Sequence, residues 1–226
     1  MNKRFITIFI LLTITAAAYT QEIITAEKYL ERVSDKYATF NDYEARIVIR
    51  SGTTDMYGTI SHLQPSFLRI DFSTPPEQVI VFNGDMLTVY LPEFKAALNQ
   101  SVPTGSRSSG ANLATSQGLS LMRRNFAASF ITGPDPVPID EKSSERVVQL
   151  RLTRRYGSEG FREIVLSVDP NNLFIRRIKA LTIAEGTVQF DFTNIKTNQG
   201  ISENRFIYDS PASANLYNNF LFRDTE

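Results

Sequence analysis

Residues 78–91 read QVIVFNGDMLTVYL. Two apolar runs, 78–82 and 86–91, stand on either side of Asn83-Gly84-Asp85. An Asn-Gly pair between such runs is the strongest short-range signal of a β-hairpin, because both central residues of the tight turn need positive φ. The two-residue period continues outward. Upstream, Tyr43, Ala45, Ile47 and Ile49 alternate with Glu44, Arg46 and Arg50, Ser51-Gly52 turns the chain, and a second strand is expected over 56–63. Gln64-Pro65 breaks that strand, since proline cannot donate to a ladder. Leu68, Ile70 and Phe72 then take one face of a strand over 67–72, with Arg69 and Asp71 on the other, and Pro75-Pro76 ends it. Downstream of the hairpin, 94–98 is a shorter strand candidate.

Helical spacing frames this group. Ala26, Tyr29, Leu30, Val33 and Tyr37 fall on one face of a 3.6-residue period, predicting an amphipathic helix over 24–37 with Thr25 as its N-cap. Between 99 and 138 the alternation stops. Residues 101–110 are rich in Ser, Gly and Pro, and Leu119, Met122, Phe126 and Phe130 then recur at helical spacing, predicting a helical insertion over 113–130 with Arg123 and Arg124 beside the stripe. Strands resume at 147–153, 161–168, 173–183 and 186–194, with a last short one at 206–208. Roughly ten to eleven strands at spacings of about 8–12 residues predict an antiparallel sandwich or barrel. From periodicity alone the plainer account of the apolar stripes is a filled core. A curved sheet under helices tethered by loops is also a route to an apolar ligand cavity.

The first residues read as a secretory signal: Lys3 and Arg4, an apolar run over 5–14, then Ala16, Ala17 and Ala18. The run is shorter than the ~20 residues a bilayer span needs. A cleaved signal peptide over 1–20 and a single exported domain over 21–226 are expected. The 24 basic and 24 acidic residues cancel, which removes the electrostatic case for a nucleic-acid partner. The absence of Cys excludes disulfides, thiolate zinc sites, cysteine nucleophiles and a lipidated N-terminal Cys. His62 is the single His, and no nucleophile elbow or other catalytic signature accompanies it. No enzyme activity, cofactor or metal site is expected. Arg154-Arg155 and Arg176-Arg177 read as solvated faces, or as guides to a membrane surface or an acidic partner.

Several elements in chain order resemble the LolA family of periplasmic lipoprotein carriers and the wider LolA/LolB-like superfamily. They are Phe40-x-x-Tyr43-x-Ala45, Gly58, Gln64-Pro65-x-x-Leu68-Arg69, Pro75-Pro76-Glu77-Gln78, and Val81-Phe82-Asn83-Gly84-x-x-Leu87-x-x-Tyr90-x-Pro92. Later come Phe192-x-Asn194 and Asn204-x-Phe206-x-Tyr208-x-x-Pro211. The resemblance implies a mainly β fold with a helical lid: an incomplete antiparallel barrel over a hydrophobic cavity closed by helices. It implies a soluble periplasmic carrier that takes lipoprotein acyl chains, or lipid, from an inner-membrane lipoprotein-releasing transporter towards an outer-membrane acceptor. The alternative it carries is a periplasmic lipid-binding or lipoprotein-sensing module of the same fold. The cavity and lid residues so implied are Ile47, Ile49, Leu68, Ile70, Phe72, Phe82, Leu87, Val89, Leu119, Met122, Phe126 and Phe130. Enterobacterial members place an Arg before the Pro of the loop after the second strand, where it bonds the lid. Here the gating position is Gln64, which is neutral.

Overall fold

Thr25 caps the first helix, α1 (Ala26–Ala38), by accepting from the Lys28 amide at 3.2 Å. The face read from the sequence is the one buried: Ala26, Tyr29, Leu30, Val33 and Tyr37. The computed structural model describes residues 24–102, 114–156, 160–184 and 186–219; the signal segment over 1–20 and Leu113 lie outside them. After α1 come β1 (Asp42–Ser51), β2 (Thr54–Leu63), β3 (Phe67–Thr74), β4 (Val79–Phe82), β5 (Met86–Leu91) and β6 (Ala96–Ser101). Then follow α2 (Ser116–Asn125), β7 (Phe126–Phe130), β8 (Val137–Pro138), β9 (Arg146–Arg154), β10 (Phe161–Val168), β11 (Ile175–Thr182), β12 (Thr187–Thr197) and β13 (Asn215–Asn218).

The thirteen strands of the described residues join one sheet, in the order β13-β6-β5-β4-β3-β2-β1-β12-β11-β10-β9-β7, with β8 beside β9. The sheet is open, as an incomplete barrel requires, and its two edges are β13 and β7. The meanders on each side are antiparallel; β13 alone pairs in parallel, with β6. β1 and β12 join the two halves through a long antiparallel ladder. Gly58 permits the close approach of β2 and β3: a Cβ there would stand 2.5 Å from the Asp71 carbonyl oxygen.

Three elements differ from the sequence reading. The helix expected over 113–130 ends at Asn125, and Phe126–Phe130 forms edge strand β7 against β9. Phe126, Ala128 and Phe130 satisfy a two-residue period as well as a helical one, and the free edge of β9 supplies ladder partners that a local period cannot reveal. The strand expected over 206–208 is replaced by a single 3-10 turn, Glu203–Phe206, whose Phe206 is buried against the outer face. The strand expected from 94 begins at Ala96, after a 3-10 turn at Pro92–Phe94 that ends with Lys95 in the left-handed region. β8 and β13, neither expected, bring the count to thirteen.

Two apolar clusters hold the sheet. The larger lies on the inner face beneath α1 and α2. The smaller packs Val79, Val81 and Phe206 on the outer face of β4, with Leu63, Phe67, Ile201 and Tyr208 around them. Asp42, at the start of β1, is buried, and its carboxylate accepts from the amides of Gln199 (2.7 Å), Gly200 (2.9 Å) and Ile201 (3.3 Å). It thereby ties the segment after β12 onto the outer layer.

Candidate functional site: an apolar inner face

Register places the expected strand residues on one face. Ile47 stands opposite Gly58, and Gly58 opposite Phe72; Ile70 stands opposite Ile80, and Ile80 opposite Val89; Leu68 stands opposite Phe82, and Phe82 opposite Leu87. Directly paired residues share a face, so Ile47, Ile49, Leu68, Ile70, Phe72, Phe82, Leu87 and Val89 all point inward. The other half of the sheet continues this surface with Phe190 and Phe192 of β12, Ile178 of β11, Ile164 and Leu166 of β10, Leu150 and Leu152 of β9, and Phe126 and Phe130 of β7.

Coverage of this face is uneven. On β9, β10 and β11 the inward residues Leu150, Leu152, Ile164, Leu166 and Ile178 are all 0% exposed. Leu119 and Met122 of α2, together with Phe126, are buried in the same cluster. Across β2, β4, β5, β6 and β12, inward Met56, Ile80, Phe82, Val89, Leu98, Val188 and Phe190 are only half-buried. Met56, Ile80, Leu98, Val188 and Phe190 were not among the residues singled out from sequence. Ile80 sits two residues from Phe82, and Leu98 stands opposite Val89, so the same two-residue parity carries their signal.

The helices are held over this face by few polar contacts. Tyr37 Oη accepts from the Ile175 amide at 3.0 Å, and Tyr43 Oη donates to the Ala114 carbonyl at 3.0 Å, just ahead of α2. Burial pushes both phenols above their ordinary range. Arg123 of α2 meets Glu31 of α1 at 2.7 Å, and Lys28 meets the same carboxylate at 2.6 Å. Gln64 does not bond α2. Its Nε2 donates to the carbonyls of Phe40 (2.6 Å) and Ala38 (3.3 Å), so it secures the carboxyl end of α1. The amide serves there because the orphan carbonyls of a helix end need a donor. A groove of about 530 Å³ runs between α1, α2 and β7, with Leu30, Phe126 and Ala128 in its lining and Lys28, Arg123 and Arg124 among its charged groups.

His62 is buried on the inner face, its ring 5.2 Å from that of Tyr43. Its Nδ1 lies 2.7 Å from the Phe67 carbonyl, a contact that needs the proton on Nδ1. Desolvation by burial holds the imidazole below its ordinary value of 6.5. This is a packed, satisfied side chain. Among the described residues no group of His, Asp and Glu gathers as a metal site, and no helix is long and apolar enough to cross a membrane.

Residues 50–209 match the family described as outer membrane lipoprotein carrier protein LolA. No curated protein sequence matches the chain. Among solved structures, an uncharacterised conserved protein of Thermus thermophilus superposes with a TM-score of 0.54 at 13% identity, covering 85% of this chain and 98% of that one. A chain of the MucA/MucB complex of Pseudomonas aeruginosa superposes with a TM-score of 0.50 at 14% identity, covering 85% of this chain and 63% of that one. The Mycobacterium tuberculosis lipoprotein LppX gives a TM-score of 0.49 at 12% identity, covering 78% of this chain and 97% of that one. At such identities the first two speak for the fold alone. With the family match spanning most of the sequence and the open sheet bearing helices on its apolar face, the chain belongs to the LolA family.

Proposed function

We propose that this protein is a non-enzymatic periplasmic carrier that holds the acyl chains of lipoproteins against its inner sheet face. In this reading it receives them from an inner-membrane lipoprotein-releasing transporter and hands them towards an outer-membrane acceptor. The observation that supports it is the half-covered apolar surface of β2, β4, β5, β6 and β12, which continues into a fully buried core on β9, β10 and β11. Each acyl CH₂ moved from water into such a surface is stabilised by about 0.8 kcal/mol. Ile80, Phe82 and Val89 meet the chain first, while Ile47, Ile49, Leu68, Ile70, Phe72 and Leu87 form the floor. Leu119 and Met122 of α2, with Phe126 and Phe130 of β7, form the side that opens. Gln64 anchors α1 and so positions this cover without gating it directly. Release without fuel is consistent with a cover whose polar links are few, because a ligand shifts such an equilibrium only by its differential affinity.

The test is native mass spectrometry of the mature protein purified without detergent, together with titration by a fluorescent fatty acid. Co-purified acyl-bearing species, or saturable uptake displaced by a triacylated lipopeptide, is the expected result. A protein free of lipid that leaves the probe unperturbed would overturn the carrier reading.

A further inference from the structure

The two arginine pairs of the sequence have opposite fates in the fold. Arg176 is paired with Glu145, and Arg177 with Asp140 and Asp191, so that pair is spent on internal ion bridges of the outer face. Arg154 and Arg155 instead sit at the end of β9, where β9 meets the junction of α2 and β7. Arg154 stands opposite Phe126 in the ladder, and the Arg155 amide donates to the Asn125 carbonyl at 2.8 Å. Arg155 Nε donates to the Phe126 carbonyl at 3.0 Å, and Arg124 Nε approaches only the Asn125 side-chain oxygen, at 3.4 Å. Among the described residues none of Arg124, Arg154 and Arg155 has a carboxylate partner. Tyr156 follows directly and is 66% exposed. The groove between the helices, where Glu27 and Glu31 of α1 face Arg123 and Arg124 of α2, opens beside this corner.

We propose that this corner, Arg124, Arg154 and Arg155 with Tyr156, is a docking surface for an anionic phospholipid bilayer. The charges are complementary to lipid phosphates. An exposed tyrosine beside uncompensated arginines matches the composition of the membrane interface, where amphipathic rings sit at headgroup level. An acidic protein would match the charge alone and would leave the exposed ring without a role. The corner lies at the β7–β9 edge of the sheet, away from the half-covered strands β2, β4, β5, β6 and β12, and its bilayer test reads no acyl cargo. Each basic residue near an anionic surface raises the partition coefficient about fivefold, which makes three worth about a hundredfold.

Co-sedimentation of the mature protein with vesicles of phosphatidylglycerol and phosphatidylethanolamine, against vesicles of phosphatidylcholine, tests it. Binding is expected to the anionic vesicles alone and to fade between about 0.05 M and about 0.5 M NaCl as the Debye length shrinks. The triple variant Arg124→Gln, Arg154→Gln, Arg155→Gln should lose about a hundredfold in partition. Lys142→Gln, Lys179→Gln, Lys196→Gln removes the same charge elsewhere and should retain binding. Wild-type protein that ignores anionic vesicles, binds both kinds alike, or holds on at high salt overturns the proposal. So does an equal loss from both triple variants, which would make the attraction a matter of net charge. If the arginine triple fails to fold, the salt and lipid dependence of the wild type still decides.

Discussion

Arg123 of α2 donates to Glu31 Oε1 of α1 at 2.7 Å, and among the described residues it is the one ion pair that links the two helices. Lys28 grips the other oxygen of the same carboxylate, and its hydrogen bond and charge, followed by the charge of Arg123, hold Glu31 below its ordinary value of 4.5. Both partners are exposed, so the link steers the helices more than it stabilises them. Arg123→Gln is expected to leave the thermal midpoint nearly unchanged and to speed uptake of a fluorescent fatty acid in stopped-flow mixing. A depressed carboxyl keeps its contribution above the unfolded value and loses it as pH falls through the folded one. Uptake by the wild type should therefore accelerate only below pH 4.5, and an unaltered rate in the variant would remove the tether from the account.

Half-covered and fully covered positions of the inner face should separate ligand binding from folding. Ile80→Gln or Val89→Gln touches residues that are only half-buried, and should weaken fatty-acid binding about tenfold while costing less than about 1.5 kcal/mol in urea unfolding. Leu150→Ala removes a side chain that is 0% exposed and should cost about 2–5 kcal/mol. Equal stability losses at both kinds of position would indicate a uniformly filled core.

Two tyrosines on one helix predict opposite outcomes. Tyr37→Phe strands the Ile175 amide, which has the Tyr37 hydroxyl as its partner, and should cost about 1–3 kcal/mol. Tyr29 Oη is buried and has no hydrogen-bond partner among the described residues, so Tyr29→Phe should be neutral or slightly stabilising. Equilibrium denaturation of the two variants side by side checks the contrast.

Burial of His62 makes stability depend on pH. Its folded value lies below the ordinary 6.5, because desolvation disfavours the imidazolium. Between those two values the unfolded chain binds more protons than the folded one, so stability rises with pH there. The contribution is complete above pH 6.5 and declines as pH falls through the folded value. Urea midpoints at pH 7 and pH 5 should differ more for the wild type than for His62→Gln, and parallel profiles would contradict this origin.

The Asp42 carboxylate accepts three amides from the segment after β12, and hydrogen bonds to a charged group are worth about 1.5–3 kcal/mol. Asp42→Ala leaves those amides without their acceptor and should cost at least about 2 kcal/mol, with new proteolytic cleavage in residues 199–210. Protection of that segment in the variant would show that Phe206 and its neighbours hold it unaided.

Short stretches of chain encode a good part of this molecule. Alternation and the Asn83-Gly84 turn suffice to read the strands around 43–91. The parity of each strand puts Ile47, Leu68, Ile70, Phe82 and Val89 on a common face, because a strand turns its side chains to the same side every second residue. Thr25 and the stripe from Ala26 to Tyr37 likewise suffice for α1. Other outcomes exist only once the chain is folded. Phe126–Phe130 is a strand because β9 offers an edge. Gln64 turns to α1 because carbonyls 24 and 26 residues away lie within reach. Arg176 and Arg177 find carboxylates, while among the described residues Arg154 and Arg155 do not. Each of these depends on groups far apart in the chain, and so does the uneven cover of the apolar face, which is why no local period could carry them.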